Sequence, residues 1–429
     1  MRNYLLLVAI CSSISVFAQI EEVRRITQTL CSPEFHGRGY YQHGDSIAAS
    51  FLVKEFEKLG VQPFKKQGYL QSFPIEGVNV FDGQAEVTHG TKQLTPGVHF
   101  LIDPSSAGIR KELFPVVLDG TKLYKNGGLD EAYLGQVIRE LRESKERNAV
   151  LVNLSQVTGD TLKSLMGLSE ALAEGFPVIE VMNRKFTWSV GRNQLANPLI
   201  YVQDSIYQKG EKFTVAIDAT FLPSYQSQNV IARIPAKKKC AKTIVFSAHY
   251  DHLGRMGSET YFPGANDNAS GTAMLFTMAR YFKEHPSNYN IVFIAFAGEE
   301  AGLVGSKYFV EHPWLKLKEI EFLINLDIMG SGEEGVTAVN ATLFEEQFNL
   351  LTTINEEQQL LSQVKSRGPA ANSDHYWFTN AGVPAFFIYT MGPNKNYHDV
   401  FDKYEALSFE EYHDITSLLV QFVERLSVK

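Results

Sequence analysis

The second half of the chain alternates short apolar runs with segments of helical periodicity. The apolar runs begin at residues 243, 290, 321 and 383 and read TIVFSAH, NIVFIAFAG, EFLINLDIMG and VPAFFIY. Helical patterns lie between and after them, as in SGTAMLFTMARYFKEH, LFEEQFNLLTTINEEQ and FEEYHDITSLLVQFVERL. Such runs are typical of strands buried on both faces, and their alternation with helices is typical of parallel sheets. We therefore predict an α/β fold with a doubly wound, mostly parallel sheet and helices on both faces.

Residues that bind metals or transfer protons follow these predicted strands. In open α/β sheets, ligands bind beyond the carboxyl ends of the strands. Two histidines and several carboxylates fall at those ends or in the segments nearby: His249, Asp251, Asp267, Glu299, Glu300, Asp327 and His398. We expect these side chains to converge at one edge of the sheet.

Most of these residues also have a structural explanation when each is taken alone. Asp267 could cap the helix that follows it, and the adjacent Glu299 and Glu300 could belong to a solvated loop. Asp327 is harder to explain, because a carboxylate inside FLINLDIMG is costly to bury without a cation. Together, histidine nitrogens and carboxylate oxygens form a ligand set that suits Zn²⁺.

The number of carboxylates favours two zinc ions over one. A single Zn²⁺ cannot balance Asp267, Glu300, Asp327 and a further glutamate, whereas three carboxylates and one hydroxide neutralise two zinc ions. We therefore predict a site for two Zn²⁺ that share a carboxylate.

Three side chains near the predicted ligands are expected to support the site or to have a structural role. Asp251 lies two residues beyond His249 and is expected to orient the second nitrogen of that imidazole. Tyr397, next to His398, either polarises a substrate carbonyl or serves as a structural aromatic. His252 is expected to pack or to be solvated.

Five motifs in this order resemble the co-catalytic di-zinc aminopeptidase family. They read AHYDHLG, PGANDNASGTA, AFAGEEAGLVGS, NLDIMG and YHDVFDKY. The family includes bacterial leucyl aminopeptidases and, more distantly, glutamate carboxypeptidase, transferrin receptor and glutaminyl cyclase. The resemblance is good over residues 222–429 and moderate over LCSPEFHGRGYYQHGDSIAASFLVKEFEKLG near the start of the chain.

The resemblance implies a role for each matched position. Asp267 would bridge both zinc ions, His249 and Asp327 would complete one site, and Glu300 and His398 would complete the other. The peptide bond after Asp267 would be cis, as it often is in the family.

The resemblance also implies the activity and the general base. Glu299 would be the base in a secreted metallopeptidase that hydrolyses amino-terminal peptide bonds, with a peptide as its substrate. A carboxypeptidase or dipeptidase of the same fold is an alternative, as is a glutaminyl cyclase, although cyclases usually break the DNASG pattern. A catalytically inactive binding module is a further alternative, but every ligand position matches the family.

The sequence divides into three segments after the N-terminus. Residues 19–94 and 223–429 are predicted to form the peptidase domain, with an amphipathic helix in GDSIAASFLVKEFEKLG. Residues 95–222 are predicted to form an inserted, smaller β-rich domain with one helix. This insert loosely resembles the protease-associated domain and carries no cluster of metal-binding residue types.

The first residues, MRNYLLLVAICSSISVFAQ, predict a secretory signal peptide over 1–18 that is cleaved after Ala18. Lipid attachment at Cys11 is an alternative, but Ile10 stands where such sites prefer a small residue. We expect a secreted or periplasmic protein without a membrane span, in which Cys31 and Cys240 either pair or remain thiols. The formal charge of −8 argues against nucleic acid as a partner, and the oligomeric state stays open.

Overall fold

A computed structural model describes residues 20–125, 127–239 and 242–426. Its largest sheet has nine strands, and their order across the sheet is β1-β3-β5-β4-β6-β9-β7-β8, with β2 paired to β3. In chain order the strands are β1 (Gln62–Pro63), β2 (Leu70–Val80), β3 (Thr220–Ile234), β4 (Thr243–His249), β5 (Asn290–Phe296), β6 (Ile320–Leu326), β7 (Val336–Val339), β8 (Val364–Arg367) and β9 (Ala385–Thr390).

The centre of this sheet is parallel, whereas antiparallel pairs flank it. Strands β5, β4, β6 and β9 run parallel to one another, and β3 and β7 pair with β5 and β9 in antiparallel fashion. Every residue of β4 is buried, which explains why apolar residues occur on both of its faces. The predicted α/β class is confirmed, and the parallel strands that the sequence predicts form the centre of a larger mixed sheet.

Helices cover both faces of the sheet. Val245 and Phe246 are neighbours on β4 and therefore face opposite sides. Phe246 packs in a core shared with helices on one side of the sheet, whereas Val245 packs with Phe309 and Phe378 on the other side. The helices are α1 (20–30), α2 (Gly44–Lys58), α3 (Gly271–Glu284), α4 (Val304–Glu311), α5 (Glu345–Gln358), α6 (His375–Asn380) and α7 (Tyr412–Arg425).

The region between β2 and β3 builds two sheets of its own. One has five strands in the order Phe100–Ile102, Leu199–Gln203, Val178–Met182, Ala149–Asn153 and Pro115–Asp119. The other has four strands in the order Lys92–Gln93, Ala85–His89, Phe213–Ile217 and Ile109–Leu113. The predicted helix is present at Glu131–Glu143, and two short helices that we did not predict lie at Gly159–Leu165 and Leu168–Ala173.

Hydrogen bonding crosses the domain boundary that the sequence predicts at residues 94 and 95. Strand Ala85–His89 lies before that boundary, yet it pairs along its length with Phe213–Ile217. Two short hairpins complete the strands, one formed by Tyr124–Lys125 with Gly128–Leu129 and one by Arg255–Met256 with Thr260–Tyr261. The pairing of Ala85–His89 with Phe213–Ile217 favours an insert that starts earlier than residue 95. The division into domains stays a proposal.

Several predictions concern residues at the N-terminus or the cysteines. The predicted signal peptide at 1–18, with the alternative at Cys11, lies outside the described residues, and so does Cys240. Cys31 is a buried free thiol, and burial raises its pKa to about 12. Among the described residues, no helix is both long and apolar enough to cross a membrane.

Candidate metal centre

The parallel centre of the sheet brings the predicted site residues together. His249 is the last residue of β4, and Asp327 directly follows β6. Glu299 and Glu300 come shortly after β5, and His398 comes after β9. Because these four strands are parallel neighbours, their carboxyl ends meet at one edge of the sheet.

Asp267 lies at the middle of the cluster, in the turn Ala265–Ser270 that precedes α3. Its Oδ1 atom is 3.2 Å from Nε2 of His249, and its Oδ2 atom is 3.0 Å from Nε2 of His398. The sequence left open that Asp267 caps the helix. Its neighbour Asn268 does so instead, since Oδ1 of Asn268 accepts from the N–H of Gly271 at 2.9 Å. The peptide bond between Asp267 and Asn268 is cis, as the resemblance implies.

Two further carboxylates complete two groups that share Asp267. Oδ1 of Asp327 lies 3.4 Å from Nε2 of His249, and Oε2 of Glu300 lies 3.2 Å from Nε2 of His398. We call the first group the His249 half and the second the His398 half. The ligand atoms of the His249 half all lie within 4.8 Å of one another.

The chemistry of these donors fits a metal ion. Oδ1 of Asp327 is buried and has no hydrogen-bond partner in the structure, and a buried carboxylate oxygen in that state is costly unless a cation is near. Both imidazoles direct Nε2, the atom available as a ligand, toward carboxylate oxygens. A mixed set of imidazole nitrogens and carboxylate oxygens suits zinc.

The charges in the cluster shift one another strongly. Burial disfavours a charge on His398, but Glu300 and Asp267 outweigh it and raise the pKa of His398 to about 11. Burial works in the opposite sense on Glu300, yet the neighbouring His398 holds the pKa of Glu300 at about 2. Burial also raises the pKa of Glu299 well above its usual range, and the charge of Glu300 adds to this shift. The two adjacent glutamates therefore differ sharply in acidity.

The backbone turns where the two glutamates stand. Gly298 and Gly302 adopt φ values of +68° and +98°, a region that glycine enters readily. The N–H groups of Glu299 and Glu300 donate to the two oxygens of Asp251 at 3.2 and 3.3 Å. This turn lets two neighbouring side chains reach the same site, as the sequence suggested.

Asp251 therefore acts on different atoms from those we expected. Its Oδ1 atom is 3.8 Å from Nδ1 of His249, too far for a hydrogen bond. The backbone carbonyl oxygen of Asp251 lies nearer, at 3.2 Å from the same nitrogen. The carboxylate instead turns toward the N–H groups after β5, because those groups would otherwise be left unpaired in a buried turn.

Tyr397 and His252 both lie against predicted ligands. The ring of Tyr397 stacks on the His398 imidazole with centroids 4.0 Å apart, and 45% of the residue is exposed. His252 is fully buried, and its Nδ1 atom lies 2.7 Å from Oε1 of Glu300. His252 packs rather than being solvated, but its contact with Glu300 was not expected. Its place in the AHYDHLG motif was the one signal available.

Other supporting residues were missed because they are remote in sequence. The Oγ of Ser373 donates to Oδ2 of Asp327 at 2.8 Å. The carbonyl oxygen of Trp188 accepts from Nδ1 of His398 at 2.9 Å. Asp402 accepts from the N–H groups of Asn266 and Asp267. Asp402 belongs to the motif YHDVFDKY, which was the one signal for it, whereas no local pattern points to Ser373 or Trp188.

Comparison with known families agrees with this geometry. Residues 229–423 match the sequence model of Peptidase family M28. This segment of the chain is therefore similar to peptidase family M28. All seven predicted metal-binding and proton-transfer residues of the strand ends fall inside the M28 segment, whereas Trp188 lies outside it.

Similar proteins include peptidases from bacteria and yeast. Aminopeptidase YwaD of Bacillus subtilis (strain 168) is 30% identical over 271 residues, which are 59% of this chain and 58% of that protein. A vacuolar membrane protease of Candida glabrata is 22% identical over 242 residues, which are 54% of this chain and 25% of that protein. The match thus spans little more than half of the first M28 relative and a quarter of the second.

Solved structures share the fold over nearly the whole chain. BSAP, a zinc aminopeptidase from Bacillus subtilis, superposes with a TM-score of 0.66 at 20% identity and covers 95% of this chain and 96% of its own. An aminopeptidase from Aneurinibacillus sp. strain AM-1 gives a TM-score of 0.57 at 18% identity, with 94% of each chain covered. The fold outside the M28 segment is therefore shared as well.

Proposed function

We propose that the protein is a zinc-dependent aminopeptidase that hydrolyses the amino-terminal peptide bond of peptides. The observation that carries this proposal is the sharing of Asp267 between two imidazole–carboxylate groups. Glu299 lies beside them, since ligand atoms of His249, Glu299 and Glu300 are within 4.8 Å of one another. The M28 match over 229–423 and the aminopeptidase relative from Bacillus subtilis support the same reaction.

Each half of the centre would hold one zinc ion. His249 and Asp327 would bind in one half, Glu300 and His398 in the other, and Asp267 in both. Zinc bound there would polarise the scissile carbonyl and lower the pKa of water at the site. The remaining chemistry falls to side chains of this chain.

Glu299 is the side chain best suited to move the proton. Its carboxylate takes no part in the four contacts between imidazoles and carboxylates that define the two halves. Its backbone N–H is fixed by Asp251, so the side chain starts from a defined position. Glu299 would accept a proton from the attacking water and return it to the leaving amine, a role typically worth about 10²- to 10⁴-fold in rate.

Two neighbouring substitutions test this division of roles. We expect Glu299→Gln to keep two zinc ions per chain and to lose hydrolysis of an aminoacyl nitroanilide by at least about 10²-fold. We expect Glu300→Gln to lose zinc from one half. Elemental analysis and initial rates on the same preparations measure both effects. Full zinc occupancy with parental turnover in Glu299→Gln contradicts the assignment.

Substrate comparison separates the alternatives. An aminopeptidase cleaves leucyl nitroanilide and does not cleave the N-acetylated form, whereas a carboxypeptidase tolerates a blocked amino end. Cyclisation of a glutaminyl peptide faster than hydrolysis would identify a glutaminyl cyclase. Absence of zinc after purification without chelators would favour the binding module.

We further propose that the protein is secreted or periplasmic. The support is the predicted signal sequence at 1–18, with Arg2 before an apolar run and small residues before Gln19. Amino-terminal sequencing of the native protein tests this, and the expected first residue is Gln19. A chain that begins at Met1 in the cytoplasm would contradict it.

A further inference from the structure

A loop outside the M28 segment contacts both ligand-bearing loops of the His398 half. This loop, residues 183–192, joins strand Val178–Met182 to the segment that leads into Leu199–Gln203, and it has no regular secondary structure. We call it the bracing loop. Its contacts fall on the chain around His398 and on the turn that carries Glu300.

Trp188 of the bracing loop pairs with His398 through two backbone contacts. The N–H of Trp188 donates to the carbonyl oxygen of His398 at 2.8 Å. In return, Nδ1 of His398 donates to the carbonyl oxygen of Trp188 at 2.9 Å. A carbonyl oxygen only accepts, so this contact keeps a proton on Nδ1, and Nε2 is the nitrogen that can bind a metal ion after losing its own proton.

His398 needs such support because its backbone is in an unfavourable region. Its φ is +52°, which few residues other than glycine adopt. Lys185 of the bracing loop adds two contacts to the same chain segment. Its Nζ lies 2.6 Å from Oδ2 of the buried Asp399 and donates to the carbonyl oxygen of Lys395 at 2.7 Å.

The indole of Trp188 anchors the loop against the M28 segment. It stacks on Phe262, with ring centroids 4.4 Å apart and planes 13° from parallel. Its Nε1 donates to the carbonyl oxygen of Ile102 at 2.7 Å. The stacking and the indole hydrogen bond therefore hold the bracing loop in a fixed position against the M28 segment.

Arg192, at the other end of the bracing loop, reaches the turn after β5. Its guanidinium donates to the carbonyl oxygen of Ala301, the residue after Glu300. It also donates to the carbonyl oxygens of Glu76 and Gly77 at 2.6 and 2.9 Å. The planar fork of arginine suits this simultaneous contact with several acceptors.

We propose that the bracing loop is a positioning element for the His398 half of the metal centre. Its residues bind no metal themselves; they hold Glu300 and His398 in register and fix the tautomer of His398. The His249 half has no such dependence, because Nδ1 of His249 faces the carbonyl oxygen of Asp251 within the M28 segment. The two halves therefore differ in what sets their zinc affinity.

This proposal rests on the zinc binding of the proposed function but not on peptide hydrolysis. The test measures the two zinc dissociation constants by competition with a chelator in the parent, Lys185→Met, Arg192→Met and Trp188→Ala. We expect one constant to stay within about twofold of the parent and the other to weaken by about 10- to 100-fold. Lys185→Arg and Arg192→Lys should recover part of the loss.

Arg184→Met is the matched control, because Arg184 belongs to the same loop but pairs with Glu180 of the insert. Both zinc constants should remain parental in this variant. Folding is checked by circular dichroism, and Trp188→Phe, which keeps a stacked ring, replaces Trp188→Ala if the latter does not fold. Cobalt substitution adds a spectroscopic readout, since in the bracing-loop variants only the visible spectrum of cobalt in the His398 half should change.

The outcomes separate the two proposals. A parent that binds no zinc overturns the proposed function. The role of the bracing loop is overturned if the parent binds two zinc ions and the folded loop variants either keep both dissociation constants or lose affinity equally at both sites.

Discussion

His252 and Glu300 are joined by a buried contact of 2.7 Å between Nδ1 and Oε1. The other oxygen of Glu300, Oε2, faces Nε2 of His398 at 3.2 Å. One carboxylate is therefore held between two imidazoles. A carboxylate that is oriented by an outer contact binds metal better, so we expect His252 to strengthen zinc binding at the His398 half without being a ligand itself.

We predict that His252→Ala weakens zinc binding at the His398 half by about 10-fold or more and leaves zinc binding at the other half unchanged. His398→Ala, which removes a proposed ligand, should abolish binding at that half. Zinc titration of both variants measures the difference. The comparison of the two losses decides which histidine is the ligand, because His252, Asp267 and Glu300 also form a compact group of metal-binding atoms. A larger loss in His252→Ala than in His398→Ala would make His252 the ligand.

Ser373 supports the opposite half through a chain of hydrogen bonds. Ser247 donates to Asn325, Asn325 donates to Ser373, and Ser373 donates to Asp327, each at 2.8 Å. We predict that Ser373→Ala weakens zinc binding at the His249 half by about 10-fold, because Asp327 loses the hydrogen bond that Ser373 donates to its carboxylate. Dissociation constants from chelator competition measure the effect.

Ser247→Ala serves as the graded control, because it breaks the chain two bonds from the carboxylate. A smaller effect is expected there than in Ser373→Ala. Equal losses in both variants would indicate a general loosening of the core instead of a direct effect on Asp327.

Local sequence patterns predicted the elements that carry the site. TIVFSAH coincides with β4 (Thr243–His249), and SGTAMLFTMARYFKEH contains α3 (Gly271–Glu284). These segments are long or fully buried, so their periodicity is clear. Helix α4 (Val304–Glu311) was missed because it is only eight residues long and its sequence includes a glycine, which weakens a helical pattern.

Contacts between distant segments were beyond the reach of sequence patterns. Four of the five candidate ligands were identifiable because each lies at or after the end of a strand, and the fifth, Asp267, because it lies just before a helix. Trp188 and His398, in contrast, are 210 residues apart. Trp188 lies in a loop of the five-stranded sheet, whereas His398 follows a strand of the nine-stranded sheet. The acceptor on Trp188 is a backbone carbonyl, which every residue has. The sequence therefore gives no signal for the contact between Trp188 and His398.

Zinc binding should depend on pH through the two histidines. Burial opposes their charged forms, but the surrounding carboxylates prevail, so the pKa of His398 rises to about 11 and that of His249 rises well above its usual range. The protonated form of both imidazoles is therefore favoured in the metal-free protein. Because zinc binds neutral imidazole, binding must release these protons, and affinity must increase with pH below about 11.

We predict a release of about one proton per histidine when zinc binds at pH 7. Calorimetry in two buffers with different ionisation enthalpies measures the number. The variant His398→Ala should lower it by about one. Zinc affinity that stays constant between pH 6 and about pH 8 would contradict the proton linkage.

Arg38 stabilises the loop that leads to Asp267 from a fully buried position. Its guanidinium donates to the carbonyl oxygens of Tyr250 and Leu30 at 2.7 and 3.0 Å, and to those of Pro263 and Gly264 at 2.6 and 2.7 Å. We predict that Arg38→Met lowers the free energy of unfolding by at least about 3 kcal/mol, because each orphaned buried acceptor costs about 1–3 kcal/mol.

Urea unfolding of the parent and variant measures this change. Arg38→Lys separates charge from geometry, since an ammonium group lacks the planar fork and cannot reach four acceptors in these directions. We expect the lysine variant to be destabilised nearly as much as the methionine variant. Recovery of most of the stability by lysine would show that positive charge beside Asp267 matters more than the individual hydrogen bonds.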